Sequence, residues 1–306
     1  MKNTIVSGYE AQDIQDQVDK ILRGLGNPEP PLKLEEVREL LRLDRRFYSS
    51  ENQSAVREVV SRLIVAGKQV VKRPTILFDA IRKAKLSALW LPDKKRILID
   101  ESVPQLKHRW SEAHEIGHSI IPWHDNLHLG DNEFSLNPTC HAQMEAEANY
   151  AAGRLLFLQE RFRCEALDCE ISLATVKSLK GEFGNTMSST LWRYVEEVGG
   201  DSPMVGVICC HPHRPSDDFD PNNPCRHVIQ SAGFKHAFSN VSAKHLFGTI
   251  RGYCGNQSGG PLGEDTVVLQ DDNRVRHLFH FESFFNRYDV LTLGRYLRPC
   301  RTSVMV

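Results

Sequence analysis

The stretch His114-Glu115-Ile116-Gly117-His118 lies in residues 104–121, where the spacing of apolar residues predicts an α-helix. Residues four apart stand one above the other on one helix face, so both imidazoles can reach a single metal ion. Glu115 follows the first histidine, where its carboxylate can accept a proton from a water molecule on that ion. The pattern is typical of zinc hydrolases.

Gly117 lies on the apolar side of this predicted helix. That side is formed by residues three or four apart, namely Trp110, Ala113, Gly117 and Ile120. A glycine weakens a helix interior by about 1 kcal/mol relative to alanine. We therefore expect another backbone, or a substrate, to approach the helix closely at Gly117.

A catalytic zinc site usually has three protein ligands, so the two histidines need a partner. His124 is one candidate, because it follows His118 by six residues, the spacing found in three-histidine zinc peptidases. Those peptidases have a helix-breaking glycine before the third histidine, and this chain has Ile121 at that position. His124 is therefore the weaker candidate.

Glu145 and Glu147 are the other candidates for the third ligand. Both precede Asn149 in residues 145–158, which predict a second helix. Glu147 lies about 200° around that helix from Glu145, so only one of them can bind the ion, and the other is expected to be solvated. Glu145 and Asn149 are four residues apart and share a helix face. This spacing favours Glu145 as the ligand, with Asn149 holding a ligand histidine in place.

The chain as a whole predicts an α+β protein. Residues 1–70 are expected to form an N-terminal helical region, and residues 71–200 a mainly helical zinc-peptidase core that carries the His-Glu-Ile-Gly-His stretch. Residues 204–306 have short apolar runs and many turn residues, which predict a smaller β-rich domain. A sensory or substrate-binding role is the expectation for this domain.

Two short extended runs, residues 87–91 and 96–99, predict a β-hairpin just before the metal-binding helix. An extended peptide substrate could pair with the edge of such a hairpin. Further helices are expected at residues 34–43, 55–66, 75–84, 173–182 and 188–197, and strands at residues 205–210, 228–233, 266–269 and 278–281.

Composition excludes several classes of protein. The 306 residues have a formal net charge of -1, so no global positive field exists to hold nucleic acid. No apolar run approaches the roughly 20 residues that span a bilayer. Residues 1–19 are too polar for a secretory signal, and the eight cysteines form no C-x-x-C pair. We expect a cytoplasmic protein with reduced cysteines and no contact with membranes.

Residues 176–195 resemble a helix-turn-helix, which makes DNA binding an alternative to be tested. Arg193 is the only cation in the second predicted helix, and Glu196 and Glu197 follow it. A recognition helix needs base-reading side chains and cations that contact phosphates. The charge therefore argues against direct nucleic-acid binding and favours a structural helix pair.

The order of these motifs resembles the ImmA/IrrE metallopeptidases. Their pattern is an extended strand, a helix with H-E-[IL]-G-H, and a helix that reads E-x-E-A-N-x-F-A-x-x-L-L-x-P. This chain has R-I-L-I-D at residues 96–100, R-W-S-E-A-H-E-I-G-H at residues 109–118 and E-A-E-A-N-Y-A-A-G-R-L-L-F-L at residues 145–158. Ala151 and Leu158 replace the usual Phe and Pro, at positions that serve packing.

The resemblance implies a zinc protease that holds its ion with His114, His118 and Glu145. It also implies a protein substrate, which in many members of the family is a DNA-binding transcriptional repressor. Glu115 would be the catalytic base. The donor to the oxyanion stays open among five residues, His108, His124, His128, His141 and Tyr150. The alternative is a metal-binding regulatory or sensor protein that hydrolyses nothing.

Overall fold

The computed structural model describes residues 6–48, 88–91, 95–101, 105–124, 138–200, 202–217 and 219–300. The chain divides into two compact units, Met1–Gln159 and Glu160–Val306. The functional division into residues 1–70, 71–200 and 204–306 stays a prediction. The helices expected at residues 55–66 and 75–84 lie outside the described residues.

The first unit combines helices with a small sheet. Its elements are α1 (Gly8–Gly24), α2 (Leu34–Leu41), β1 (Asp44–Tyr48), β2 (Ala88–Leu91), β3 (Arg96–Asp100), α3 (Gln105–Ile120) and α4 (Pro138–Leu156). Ser7 caps α1 by accepting a hydrogen bond from the backbone N–H of Glu10. The apolar face of α1 is buried, and α1 packs on α4. The helix with the His-Glu-Ile-Gly-His stretch and the helix with both candidate glutamates thus belong to one unit.

The sheet of the first unit has the strand order β1-β3-β2, and α3 packs against β2 and β3. β2 and β3 pair antiparallel, as the predicted hairpin requires. The sequence does not predict β1, which pairs parallel with β3 and has little apolar alternation in Asp-Arg-Arg-Phe-Tyr. Ile97 and Ile99 of the central strand are fully buried. Among the described strands, β2 is therefore an edge strand, on the side opposite β1.

Two ion pairs at Glu112 join α3 to elements that precede it in the chain. The buried Glu112 carboxylate accepts hydrogen bonds from Arg38 Nε on α2 at 2.6 Å and from Arg45 Nη1 on β1 at 2.8 Å. A buried ion pair that loses one partner leaves an uncompensated charge, which costs about 3–5 kcal/mol. These contacts therefore fix α3 against α2 and β1.

The second unit begins with helices and continues as a sheet with two further helices. The helices are α5 (Glu160–Leu167), α6 (Leu173–Phe183), α7 (Met187–Val198), α8 (Ala232–Ala237) and α9 (Ala243–Tyr253). The strands are β4 (Met204–Cys209), β5 (Cys225–Gln230), β6 (Gly260–Gln270), β7 (Arg276–Phe285) and β8 (Val290–Pro299). They form an antiparallel sheet with the order β5-β4-β8-β7-β6. The predicted α+β class and β-rich C-terminal region are confirmed.

α6 and α7 occupy the residues that resemble a helix-turn-helix. Leu191 and Tyr194 lie on the buried face of α7, which packs against β4 and β5. The Arg193 side chain is buried, and its Nη1 lies 2.9 Å from Oε1 of Glu197. The cation is therefore neutralised within its own helix rather than presented to a phosphate, which supports a structural helix pair.

Apolar side chains of the second unit form one core against the sheet. Four phenylalanines are fully or almost fully buried in it, Phe234, Phe238, Phe279 and Phe281. Their rings contact one another, with centroids 5.0 Å apart for Phe234 and Phe238. Across the described part of the chain, no helix combines the length and the hydropathy needed to cross a bilayer.

Candidate metal centre

α3 and α4 meet backbone to backbone at Gly117. A Cβ atom added to Gly117 would lie 2.7 Å from the carbonyl oxygen of Ala148 and 3.3 Å from its Cα. Side-chain carbons do not pack that closely, so only glycine lets the two helices come together at this distance. The close approach predicted at Gly117 is confirmed, and the partner is the backbone of α4.

This approach brings His114, His118 and Glu145 together. One ligand atom from each residue can be chosen so that all lie within 4.8 Å of one another. His114 Nε2 is 3.2 Å from Glu145 Oε2, and His118 Nε2 is 3.5 Å from Glu145 Oε1. Two ligand atoms around a tetrahedral zinc ion with ordinary bond lengths are about 3.3 Å apart. The spacing and the nitrogen–oxygen donor set therefore fit a zinc ion.

Asn149 lies behind His114, on the side away from Glu145. Its Oδ1 is 3.1 Å from Nδ1 of His114. An amide oxygen can only accept, so the proton of neutral His114 is on Nδ1 and the lone pair is on Nε2. This is the contact expected of a residue that holds a ligand histidine in place.

His124 and Glu147 occupy a second position, behind His118. Nδ1 of His124 is 2.9 Å from Nδ1 of His118, and Nε2 of His124 is 2.9 Å from Oε2 of Glu147. Glu147 is only 2% exposed, so the expectation that the carboxylate not chosen as a ligand would be solvated is wrong. The physical reason is that Trp123 covers Glu147 and donates to it, and that Gln143, one turn earlier on α4, donates to it as well.

Glu115 is buried next to His114. Burial is the largest influence on this carboxyl and raises its pKa to about 7, against the opposing effects of His114 and of a hydrogen bond from the Trp90 backbone N–H. Trp90 belongs to the edge strand β2. A buried carboxyl whose pKa is raised towards neutrality can both take up and release a proton, which suits a general acid–base.

Two of the three cluster residues, His118 and Glu145, are held in metal-binding protonation states. Burial acts to lower the pKa of His114, but the contact with Glu145 and the charges of Glu115 and Glu145 outweigh it and raise that pKa. Burial lowers the pKa of His118 to about 4, so its imidazole is neutral at neutral pH. Burial acts to raise the pKa of Glu145, but hydrogen bonds with His114 and His118 outweigh it and hold the pKa below its usual range. Glu145 is therefore an anion between two imidazoles, which is the charge that a metal dication requires.

The candidates for the oxyanion donor are differently placed. The Tyr150 hydroxyl is hydrogen bonded to Gln15 of α1 and to Arg154 Nε. Both ring nitrogens of His124 are engaged by His118 and Glu147. The remaining described candidate, His108, packs on Phe47. His128 and the side chain of His141 lie outside the described residues.

Trp123 and Gln143 are site residues that the sequence motifs do not reveal. Trp123 Nε1 donates to Glu147 Oε2 at 2.6 Å, and Gln143 Nε2 donates to Glu147 Oε1 at 3.0 Å. Gln143 precedes Glu147 by four residues, so helical spacing could have indicated that pair. Nothing in the sequence links Trp123 to α4.

The segment that contains this cluster is similar to a known protein family. Residues 74–193 match the family model Peptidase_M78, described as an IrrE N-terminal-like domain. The predicted resemblance to the ImmA/IrrE family is confirmed. The IrrE N-terminal-like segment includes all five residues singled out from the sequence, His114, Glu115, His118, Glu145 and Asn149.

A solved protein structure has a similar fold. A Mycobacterium tuberculosis transcriptional regulator superposes with a TM-score of 0.51 at 11% sequence identity, covering 93% of this chain and 76% of that chain. At this identity the likeness shows a shared fold. No curated protein sequence matches the chain.

The contact at Gly117 gives a testable stability prediction. Gly117→Ala should destabilise the fold by about 1–3 kcal/mol, because overpacking outweighs the better helix propensity of alanine. Gly248→Ala in α9 is the matched control, since a Cβ there meets nothing within 4 Å. It should stabilise by about 0.5–1 kcal/mol. Denaturant unfolding measures both, and a stabilised Gly117→Ala variant would contradict the contact.

Proposed function

We propose that the protein is a zinc-dependent endopeptidase that hydrolyses a peptide bond in a protein substrate. The observation that carries the proposal is the convergence of His114, His118 and Glu145 beside the buried carboxyl of Glu115. The match to a peptidase family over the same segment supports it. His114, His118 and Glu145 would hold the ion, and Asn149 would support His114.

A zinc ion held by His114, His118 and Glu145 would supply Lewis-acid chemistry for activating water and polarising the scissile carbonyl. Glu115 accepts the proton of the attacking water and delivers it to the leaving amine. Its burial keeps bulk water away from this transfer, and the Trp90 N–H orients the carboxylate.

The edge strand β2 supports a peptide as the substrate. β2 pairs only with β3 in the described three-stranded sheet, so its outer edge can accept an extended chain. Trp90 lies on this strand and donates its backbone N–H to Glu115. A peptide bound along β2 would therefore pass within reach of the catalytic carboxylate.

The finer proposal is that the substrate is a transcriptional repressor in the cytoplasm. It follows from the resemblance to the ImmA/IrrE family, in which repressor cleavage is common. The alternative is a regulator that binds metal without hydrolysis. The similar fold of a protein named as a transcriptional regulator favours this alternative, and Glu115→Gln distinguishes the two, as argued in the Discussion.

Metal content and metal removal test the proposal. We expect about one zinc ion per purified molecule, as in three-ligand catalytic sites. Removal with a chelator should lower the melting temperature, because a ligand at 100 times its Kd stabilises a protein by about 2.7 kcal/mol. Elemental analysis and thermal unfolding with and without added zinc are the measurements.

His118→Ala is the control for these measurements. It should contain little zinc, and its melting temperature should not respond to zinc or to chelator. Equal zinc content in His118→Ala and the wild type would show that the ion binds elsewhere.

A further inference from the structure

Three hydrogen-bond donors surround the Glu147 carboxylate. Trp123 Nε1 donates to Oε2 at 2.6 Å, and Gln143 Nε2 donates to Oε1 at 3.0 Å. Both of these groups can only donate, so both carboxylate oxygens act as acceptors. Nε2 of His124 lies 2.9 Å from Oε2 and is the third donor. The His124 ring therefore carries a proton on Nε2.

His124 spans the space between Glu147 and His118. The His124 side chain is fully buried, and its Nδ1 is 2.9 Å from Nδ1 of His118. Two ring nitrogens at this distance share one proton, so one donates and the other accepts. A neutral His124 with its proton on Nε2 has a lone pair on Nδ1. His118 Nδ1 is then the donor.

The direction of this hydrogen bond determines which atom of His118 can bind a metal ion. With a proton on Nδ1, the lone pair of neutral His118 is on Nε2, the atom that lies 3.5 Å from Glu145 Oε1. If His124 instead donated through Nδ1, the proton of neutral His118 would be on Nε2, which could not be a ligand. Only one proton arrangement is compatible with the metal site.

We propose that Glu147 is a positioning residue that, acting through His124, keeps the proton of His118 on Nδ1 and its Nε2 directed at the metal ion. The inference rests on the proposed function, since it takes the ion to lie between His114, His118 and Glu145. A carboxylate behind a metal-binding histidine fixes the tautomer and raises the basicity of the ligand nitrogen. In this chain a second histidine carries that influence from Glu147 to His118.

The two metal-binding histidines thus receive different support. Neutral Asn149 fixes the tautomer of His114 at 3.1 Å, without a charge. His118 is connected to a carboxylate through His124. Loss of the Glu147 charge should therefore weaken the bond between His118 and the metal ion more than the bond between His114 and the metal ion.

Zinc affinity of Glu147→Gln, measured by competition with a chromophoric chelator, is the first test. The variant keeps the size of the side chain and removes its charge, so we expect affinity to fall by about 10–100-fold. Glu10→Gln is the matched control, because Glu10 Oε2 accepts from the same Gln143 amide at 3.2 Å, whereas the ring nitrogens of His124 are bonded to Glu147 and His118. The control should bind zinc as the wild type does.

Two substitutions of His124 separate its two hydrogen bonds. His124→Gln can donate to Glu147 from a position near the original Nε2, but it offers His118 no acceptor. His124→Asn can accept from Nδ1 of His118, but it is too short to reach Glu147. We expect His124→Gln to lose about 10–100-fold in zinc affinity and His124→Asn to lose less. Wild-type affinity in both Glu147→Gln and His124→Gln would overturn the proposal.

The protonation of His118 in the wild-type protein is a test that depends on no variant folding correctly. Long-range 1H–15N NMR spectra distinguish protonated from unprotonated ring nitrogens. We expect Nδ1 of His118 to be protonated with and without zinc, and Nδ1 of His124 to be unprotonated. A bare Nδ1 on His118 would overturn the proposal. If Nδ1 of His118 is protonated but the protein binds no zinc, the hydrogen bonds among Glu147, His124 and His118 are as described and the proposed zinc-dependent function is wrong.

Discussion

Glu115→Gln should reduce proteolysis by about 100-fold or more while zinc stays bound, as expected when an acid–base group is removed. Glutamine has nearly the same shape, and the Trp90 N–H can still donate to its amide oxygen. What is lost is the carboxylate that accepts and returns a proton. The measurement is the cleavage rate of a protein substrate at saturating zinc, together with the zinc content of the variant.

The same variant separates the enzyme from the alternative, a metal-binding regulator. A regulator that hydrolyses nothing would show the same biological activity in the wild type and in the Glu115→Gln variant, since metal and fold are retained. Glu10→Gln is again the control, because the Glu10 carboxylate accepts from Ser7 and Gln143 rather than from Trp90 or a metal-binding histidine. Undiminished cleavage by Glu115→Gln would place the chemistry on another residue.

The local part of the site could be predicted from the sequence because it depends on helical spacing. His114 and His118 are four residues apart on α3, and Glu145 and Asn149 are four residues apart on α4. Gly117 is costly within a helix unless something packs against it. Each of these patterns is contained in a few consecutive residues, and the structure keeps the pairs on shared faces.

The non-local part of the site could not be predicted in the same way. Glu147 is buried because Trp123, a residue 24 positions earlier, covers it. The six-residue spacing from His118 presents His124 only as a direct ligand, and its contact with Glu147 depends on how the segment after α3 turns towards α4. Such contacts join distant positions, and no spacing within one helix encodes them.

β8 illustrates a further limit of pattern-based prediction. Gly294 interrupts its apolar residues and weakens the strand pattern. In the structure a Cβ at Gly294 would lie 2.7 Å from Cζ of Phe281 on the neighbouring strand β7. The glycine is therefore present to make room for a buried aromatic ring rather than to end the strand. Only the paired strands reveal that reason.

Glu145→Ala should lose zinc more completely than any substitution of Glu147 or His124. Glu145 is the carboxylate placed 3.2 Å from His114 Nε2 and 3.5 Å from His118 Nε2, so its loss leaves two protein donors where three are usual. Residues that act on a ligand from behind change metal affinity by about 10–100-fold, and a lost ligand should exceed that range. Titration of the metal-free variants with zinc gives the order of affinities.

In the metal-free proteins, Glu147→Ala should be less stable than Glu145→Ala, which is the reverse of the order expected for zinc loss. This contrast distinguishes a metal ligand from a residue that holds a ligand in place. Removal of Glu145 takes a partner from His114 and His118, but the Glu145 side chain is 43% exposed, so water can replace the carboxylate beside them. Removal of the Glu147 side chain leaves the Trp123 and His124 donors unsatisfied, at a cost of about 1–3 kcal/mol for each group that stays buried, whereas Gln143 keeps Glu10 as a partner. A Glu147→Ala variant that abolished zinc binding while Glu145→Ala retained it would reverse the assignment. The ion would then have to lie on the His124 side of His118.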